Sequence, residues 1–476
     1  MIFVFLVFAI YFPIDSWQNE VLEEIQVRGY YFTKFPSIRP YLLSLNKDLP
    51  CPCDSATKCS CTIYGAKELY RYLWLPNLSL NLKFDTIKVA RLKPMVNYDF
   101  SGISLYLQPD VKLGTDSLPP YKVFKNLFAA DYERVYVQYQ NKAVRLFIGR
   151  ERFSIGPSPR YNMILSGYGP PLDWFHYSFS AKYIQLSYYL SQLDDMVCKP
   201  FEYTGDTIST LINARRYLII KRLDWTPIRW FNCSFSEAAT FGGEDYTLMP
   251  YHFNPIVFIH TLQHNWEKDA NLFFHLDFRL FLKKFSVYAA LLVDDYQLEP
   301  DPNNEPNHFG FNWGVEFVDL FIPRNFFIIE YHLLSRWIYC IYAPYQRYMY
   351  YRQPIGFPYG PDCDELYTKY VYHLNEKFDL YLGGTYLRKG ENSVNSIWPI
   401  PENPRIPGTS FPEDNFLSGT VENILNIKLG VRFFYHKFLG LEFSMGYLNI
   451  QNHHHHIGTT KNLIQLNMVF NLLNLN

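Results

Sequence analysis

Between Asn271 and Leu280 the chain alternates without a break. Leu272, Phe274, Leu276, Phe278 and Leu280 fall on one side, and Asn271, Phe273, His275, Asp277 and Arg279 on the other. Successive side chains of an extended strand point to opposite faces, so this period of two predicts a β-strand. A soluble sandwich strand shares that period. Here, however, His, Asp and Arg collect on one face while bare Leu and Phe fill the other, as a strand between lipid and a wet lumen requires. Asn423–Phe433 repeats the pattern, with Leu425, Ile427, Leu429, Val431 and Phe433 set against Asn426, Lys428 and Arg432. The last candidate strand sets Ile464, Leu466, Met468 and Phe470 against Gln465, Asn467 and Asn471. A charge facing lipid at mid-depth costs about 2–4 kcal/mol, which assigns Lys428 and Arg432 to the luminal side.

The connections between candidate strands alternate in length. Tight joints fall at 141–143, 182–183, 225–227, 282–284, 320–324, 375–378 and 436–437, and long ones at 151–175, 194–214, 240–269, 336–364 and 389–422. Short turns at one end and long loops at the other predict an all-β fold, a transmembrane antiparallel barrel of about 18 strands with its short turns in the periplasm. An even count puts both termini on that side. A soluble sandwich or propeller explains the alternation but not the one-sided turn lengths.

Composition agrees. Aromatics make up 19% of the 476 residues, with 40 Tyr and 40 Phe. Tyr and Trp are favoured where an apolar zone meets water. No later run approaches the roughly 18 apolar residues of a membrane-spanning helix. A net charge of −1 without a basic block gives no nucleic-acid footprint.

The N-terminal Met-Ile-Phe-Val-Phe-Leu-Val-Phe-Ala-Ile-Tyr-Phe suits the apolar core of a secretory signal peptide over residues 1–16. Residues 17–77 read as a small helical periplasmic lead-in, and 78–476 as the barrel. Val21, Leu22 and Ile25 among Glu20, Glu23 and Glu24 predict one short helix. Further segments start at Ile38-Arg39-Pro40 and at Ala66. Cys51, Cys53, Cys59 and Cys61 lie in a turn-rich stretch that reads as two local disulfides in an exported chain, or as a metal site with an unusual C-x-C spacing.

Three stretches carry a resemblance. The first is Gly149-Arg150-Glu151-Arg152-Phe153-Ser154-Ile155-Gly156-Pro157, continuing through Ile164-Leu165-Ser166 to Pro170-Pro171-Leu172-Asp173. The second is Phe241-Gly242-Gly243-Glu244, beyond Arg222-Leu223-Asp224-Trp225. The third is Ile355-Gly356-Phe357-Pro358-Tyr359-Gly360-Pro361-Asp362. Together, and with the Leu22 to Pro40 lead-in, they resemble the capsule-assembly Wzi family of outer-membrane barrels. Ile155, Ser158 and Gly169 depart from its pattern, standing where family members often have Trp, Gly and Ala.

The resemblance implies non-enzymatic, lectin-like attachment of capsular or other surface polysaccharide by a monomeric, cofactor-free barrel in outer-membrane lipid. Arg150, Arg152, Arg160, Asp173, Trp174, Glu244, Asp245, Tyr246, Tyr359 and Asp362 are the candidates. Arg and Asp can hydrogen-bond sugar hydroxyls, and Trp and Tyr can stack on sugar faces. The same residues serve equally as turn punctuation and ion pairs that close the lumen. Two other functions compete: a porin, since a barrel this large can enclose a channel, and a lipid or glycan hydrolase. No Gly-x-Ser-x-Gly, His-Glu-x-x-His or phosphate loop supports catalysis. His453–His456 reads as a polar loop tip.

Overall fold

The computed structural model describes residues 102–113, 128–200, 210–266, 270–295, 306–375, 377–396, 415–435 and 439–472. Before residue 102 it describes 9–11, 20, 23–24, 26–28, 38–39, 42–44, 78–84, 88–93 and 96–100. Twenty antiparallel strand segments hydrogen-bond in a ring that runs from Leu78–Phe84 to Thr460–Leu472. It closes where Leu472 opposes Leu78 and Leu466 opposes Phe84. Two neighbours in the ring share one partner in each of two places. Lys88–Lys93 and Val96–Phe100 both pair with Ile103–Leu113, and Ile184–Gln192 and Met196–Cys198 both pair with Ile212–Ile228.

Burial is inverted relative to a water-soluble protein. In the strand Asn271–Leu282, His275, Asp277 and Arg279 are 0–1% exposed, whereas Leu276 and Phe278 are 52% and 40% exposed. The strand Ile212–Ile228, two places along the ring, buries Arg222 and Asp224 and leaves Leu223 and Trp225 open. Leu425, Ile427 and Leu429 are exposed while Arg432 is buried. Contiguous apolar faces of this extent need a nonaqueous neighbour, and the polar residues need partners inside.

They find them. Arg222 spans Asp224 and Asp277, with Nη1 2.7 Å from an Asp277 oxygen and Ser236 accepting a further bond. Arg134 pairs with Glu151 at 2.9 Å and donates to Gln108. Each is a charge that alternation turned inward and that a carboxylate neutralises, from the adjacent strand for Arg134, and from its own strand and one two places away for Arg222, since an unpaired buried charge costs several kcal/mol.

The outward face is not bare throughout. Leu272, expected to face outward and open, is only 8% exposed. Residues 245–266 lie back over the outer wall, where Tyr246, Leu248 and Ile259 pack with Tyr188, Tyr217, Ile219, Phe241 and Leu272. The expected second helical segment differs as well. Ile38–Arg39 is a short strand paired with Ser154–Ile155, and Leu42–Ser44 pairs with Ala9–Tyr11. Pro40 disfavours helical backbone at Arg39, which leaves that segment extended. Glu20, Glu23, Glu24, Gln26 and Val27 have helical backbone, while Val21, Leu22 and Ile25, which carry the expected helix, lie outside the described residues. Cys51, Cys53, Cys59 and Cys61, and the helix expected at 66–73, lie outside the described residues.

Candidate functional site

Two of the long connections turn into the barrel and pack on each other. Residues 152–171 follow the strand Val144–Glu151, and residues 335–362 follow Asn325–Leu334. Within the first, Ile155 bridges Leu165, and between the two Ser166 N donates to Ile355 O at 3.2 Å. Tyr339 Oη donates to Met163 O at 2.5 Å and Tyr348 Oη to Ile164 O at 2.6 Å. Around these bonds Phe153, Ile155, Met163, Leu165, Trp174, Tyr339, Tyr348 and Phe357 form one apolar core. Gly356 is required there, because a Cβ would stand 2.0 Å from Met163 O. Loops normally run over surfaces because their backbone must be satisfied. These run inside because buried tyrosines and strand side chains cap their carbonyls.

The barrel wall holds this double loop by its charged inner face. Arg279 Nη1 donates to Pro157 O at 3.1 Å and pairs with Glu316. Ser158 Oγ donates to Glu330 at 2.6 Å. Arg216 donates to the carbonyls of Tyr345, Arg347 and Met349 at 2.8–2.9 Å and pairs with Asp194. Arg160 Nη1 reaches Glu365 at 2.6 Å, its guanidinium lying 4.2 Å from the ring centres of Tyr161 and Tyr367. Burial works against the Arg160 charge, but Glu365 more than offsets it and holds the guanidinium protonated.

The sequence candidates fall in six different places. Arg150 makes a bidentate pair with Asp173 at 3.0 and 2.7 Å and meets Asp131 at 2.9 Å, on the outward face above exposed Ile148 and Phe175. Arg152, Arg160 and Asp362 hold loops. Arg152 pairs with Glu133 and donates to the carbonyls of Gly167 and Tyr168, both at 3.1 Å. Asp362 is fully buried and accepts from the backbone N–H groups of Asn392 and Ser418, both at 3.1 Å.

Trp174 is in the core, its indole N–H donating to Glu151 O at 3.0 Å. It lies on the strand Leu172–Ser180 rather than in a loop. Glu244 and Asp245 are exposed, with no ion pair among the described residues. Tyr246 sits against the outer wall, its ring 5.6 Å from Phe241. Tyr359 alone of the candidate aromatics stays open at the long-connection end, 37% exposed beside Phe357.

Tyr168, which the sequence also places in an outer loop, stands at the same end, with Tyr351 and Arg352, which were not singled out from sequence. Tyr168 is 57% exposed and meets Tyr161 edge-on at 5.6 Å. Tyr351 and Arg352 form the tip of the hairpin Met349–Tyr350/Gln353–Pro354, both with positive φ (47° and 62°). A two-residue turn of this kind favours Asn and Gly, so placing Tyr-Arg there stores backbone strain. Between this hairpin and residues 165–172 lies a small cleft of about 20 Å³, lined among others by Arg152, Gly167, Gly169, Tyr350 and Gln353. Among the described residues, no group of three His, Cys, Asp or Glu side chains is arranged to hold a metal ion.

The short-turn end is closed by different residues. Glu20 pairs with Lys369 and with Arg432 at 3.0 Å, and Glu23 with Arg279 at 2.8 Å. Glu24 lies 2.8 Å from His373, which also meets Asp379 at 2.7 Å. Arg28 pairs with Glu24 and Asp319 at 2.7 and 2.9 Å. Burial raises the Glu24 carboxyl, but the charges of His373 and Arg28 outweigh it and hold the group down at about 2. The same contest, won by Arg432 and Lys369, holds Glu20 well below the usual carboxylate range.

Comparison with solved structures finds the same fold. Wzi from Escherichia coli, described as an outer-membrane protein involved in group 1 capsule assembly and a carbohydrate-binding β-barrel, superposes with a TM-score of 0.63 at 14% identity. The match covers 97% of this chain and 99% of that one. OccD3 (OpdP) from Pseudomonas aeruginosa matches at a TM-score of 0.47 and 8% identity, over 84% of this chain and 91% of that one. Comparison with curated proteins gives no match. The family model described as "Capsule assembly protein Wzi" matches residues 101–463, three quarters of the chain and all three of the stretches singled out above. The chain therefore belongs to the Wzi capsule assembly family.

Proposed function

We propose that this protein attaches a surface polysaccharide to the outer membrane, by lectin-like contacts and without catalysis. One observation carries the reading. The long connections at one end fill the barrel interior with a packed core, yet leave Tyr168, Arg352 and Tyr359 uncovered and Tyr351 half-buried on its outer side. Exposed tyrosines provide faces for sugar rings, and Arg352 a donor for hydroxyl or carboxylate groups. Arg150, Arg152, Arg160 and Asp362 then act by holding these loops rather than by touching glycan, with Glu244 and Asp245 outside the glycan surface. A filled interior disfavours a diffusion porin, and planar-bilayer recordings should lack large, steady, open currents.

Counting each of the two split pairs as one crossing gives eighteen membrane passages, with every long connection facing outward. In this orientation the short turns and residues 17–77 face the periplasm after removal of residues 1–16, and the barrel works as a monomer without cofactor. The decisive experiment deletes the gene and compares polysaccharide retained on cells with that shed into the medium. The expected result is a shift from retained to shed. Unchanged retention overturns the attachment role. In the purified barrel, Tyr168→Ala with Tyr359→Ala should weaken binding of the host's own polysaccharide by about tenfold while leaving the fold intact.

A further inference from the structure

The outer wall carries two charges where a membrane barrel should have none. In the strand Ile212–Ile228 the outward row reads Tyr217, Ile219, Lys221, Leu223, Trp225, and Lys221 stands opposite Glu237 of the next strand. Lys221 is seven positions from Ile228 at the short-turn end. At about 3.3 Å per residue and a tilt near 40° it lies roughly 18 Å up the wall, inside an apolar band about 25 Å tall. Exposed Trp225 and Trp230 mark the band's lower edge. Yet Lys221 and Glu237 are 6% and 1% exposed.

What hides them is the 245–266 segment. Lys221 Nζ donates to Val257 O and stands 3.5 Å from Glu237, which accepts from His260 N at 3.1 Å. The segment is tied down by three further contacts. Tyr188 Oη donates to His252 O, Tyr177 Oη donates to Phe253 O at 2.6 Å, and Phe258 packs on Phe235. Apart from Asn254, whose Oδ1 accepts from Ile256 N, the exposed side chains of 249–258 are apolar: Met249 is 48% exposed, Phe253 42%, Ile256 74% and Phe258 49%. They are continuous with exposed Phe175, Phe179, Leu223 and Leu276 of the bare wall.

We infer that residues 249–258 form a lateral membrane anchor, with Phe253, Ile256 and Phe258 set among the acyl chains of the outer leaflet. The long connection that looks from sequence like a glycan-binding loop is thus a lipid-facing flap. Its position follows from the buried pair, because a segment covering charges inside the apolar band must itself lie in that band. The inference rests on the membrane-spanning reading but not on glycan binding.

The test places a benzophenone amino acid at position 256, and separately at 253, in the full-length barrel. The barrel is reconstituted in vesicles of alkyne-tagged phosphatidylcholine and then irradiated. Leu276 of the bare wall gives the lipid reference and Ile457, in an outer loop, the water reference. Heat-modifiable gel mobility checks that each variant is folded. Lipid adducts at 253 and 256 near the Leu276 level, several-fold above Ile457, are the expected result. Adducts at or below the Ile457 level, with Leu276 labelling normally, overturn the anchor while leaving the barrel reading in place. Adducts to a second protein chain at 256 overturn it too. Absence of lipid adducts at Leu276 as well removes both the anchor and the membrane reading beneath it.

Discussion

At the long-connection end the interior is filled by two loops that bury aromatic and aliphatic side chains against each other, with tyrosine hydroxyls and strand arginines satisfying loop carbonyls. At the short-turn end it is closed by residues 20–28, whose grip on the wall is mainly ionic: Glu20, Glu23, Glu24 and Arg28 each meet an opposite charge. A small apolar contact of Val27 with Phe281 and Val318 adds to it. The two closures respond to different conditions. Apolar packing is indifferent to pH, whereas paired carboxylates lose their partners when protonated. The outer closure has to present a fixed surface, and a packed core gives one. The inner closure joins a segment far from its partners in sequence, and buried ion pairs give it register.

Arg279 is where the two meet, since it bonds Pro157 O of the outer loop, Glu23 of the inner segment and Glu316 of the wall. Arg279→Ala removes all three and strands two buried carboxylates. It should cost about 3–5 kcal/mol, as breaking buried ion pairs does. Urea unfolding of the reconstituted barrel measures this. A loss below 1 kcal/mol would show that the two closures are not coupled through this side chain.

Acid should separate them. Glu24 has its carboxyl held at about 2, against the 4.5 of a free side chain. A depressed carboxylate contributes stability that is present above its unfolded pKa and lost as pH falls through the folded one. The window is therefore about pH 4.5 down to 2, and the amount on the order of 3 kcal/mol. Hydrogen exchange should show amides of 20–28 losing protection across that window while those of Ile155 and Ser166, bonded to loop carbonyls, keep theirs. Simultaneous loss at both ends would erase the distinction.

How much of this could be read from the chain varies with distance along it. The strands, their inward His275, Asp277 and Arg279, and the short-turn parity were legible because alternation and turn length are local. The inward place of Trp174 was missed, because the long connection was expected to run to residue 175, whereas the strand starts at Leu172 and puts Trp174 on the face opposite Phe175 and Phe179. The flap left a trace in Lys221, a charge interrupting an otherwise apolar row. Partners were not legible. Ser158 and Glu330 are 172 residues apart, Tyr348 and Ile164 184, and Glu20 and Lys369 349. Polar residues on the inner wall alternate alike whether they face water, a strand or a loop carbonyl, so only the closed ring shows which. Family resemblance marked loops that hold one another, but not which of their side chains remain open.

Within the outer closure, Tyr339→Phe and Tyr348→Phe each remove one hydroxyl and leave Met163 O or Ile164 O buried without its donor. Each should cost about 1–2 kcal/mol. The loss should be the same at pH 7 and pH 4 in urea unfolding, because no carboxylate takes part. A loss that grows on acidification would tie the outer closure to the ionic one.

The smallest effect belongs to an ion pair of the same chemistry on the opposite face of the wall. Arg150 holds Asp173 in two bonds and Asp131 in a third, as many as Arg432 makes with Glu20 and Glu442 at the inner end. Its Asp173 side chain is 60% exposed, however, where the inner Glu24 is 3%. Water screens the first and not the second, so equal bond counts should carry unequal energies. Arg150→Gln is expected to cost at most about 1 kcal/mol, and the cost should vanish in about 1 M salt. Urea unfolding at low and high salt reads both. A cost above that of Tyr348→Phe, retained in salt, would mean that this rim is sheltered as the interior is, and that geometry outranks burial in ordering the ion pairs of this barrel.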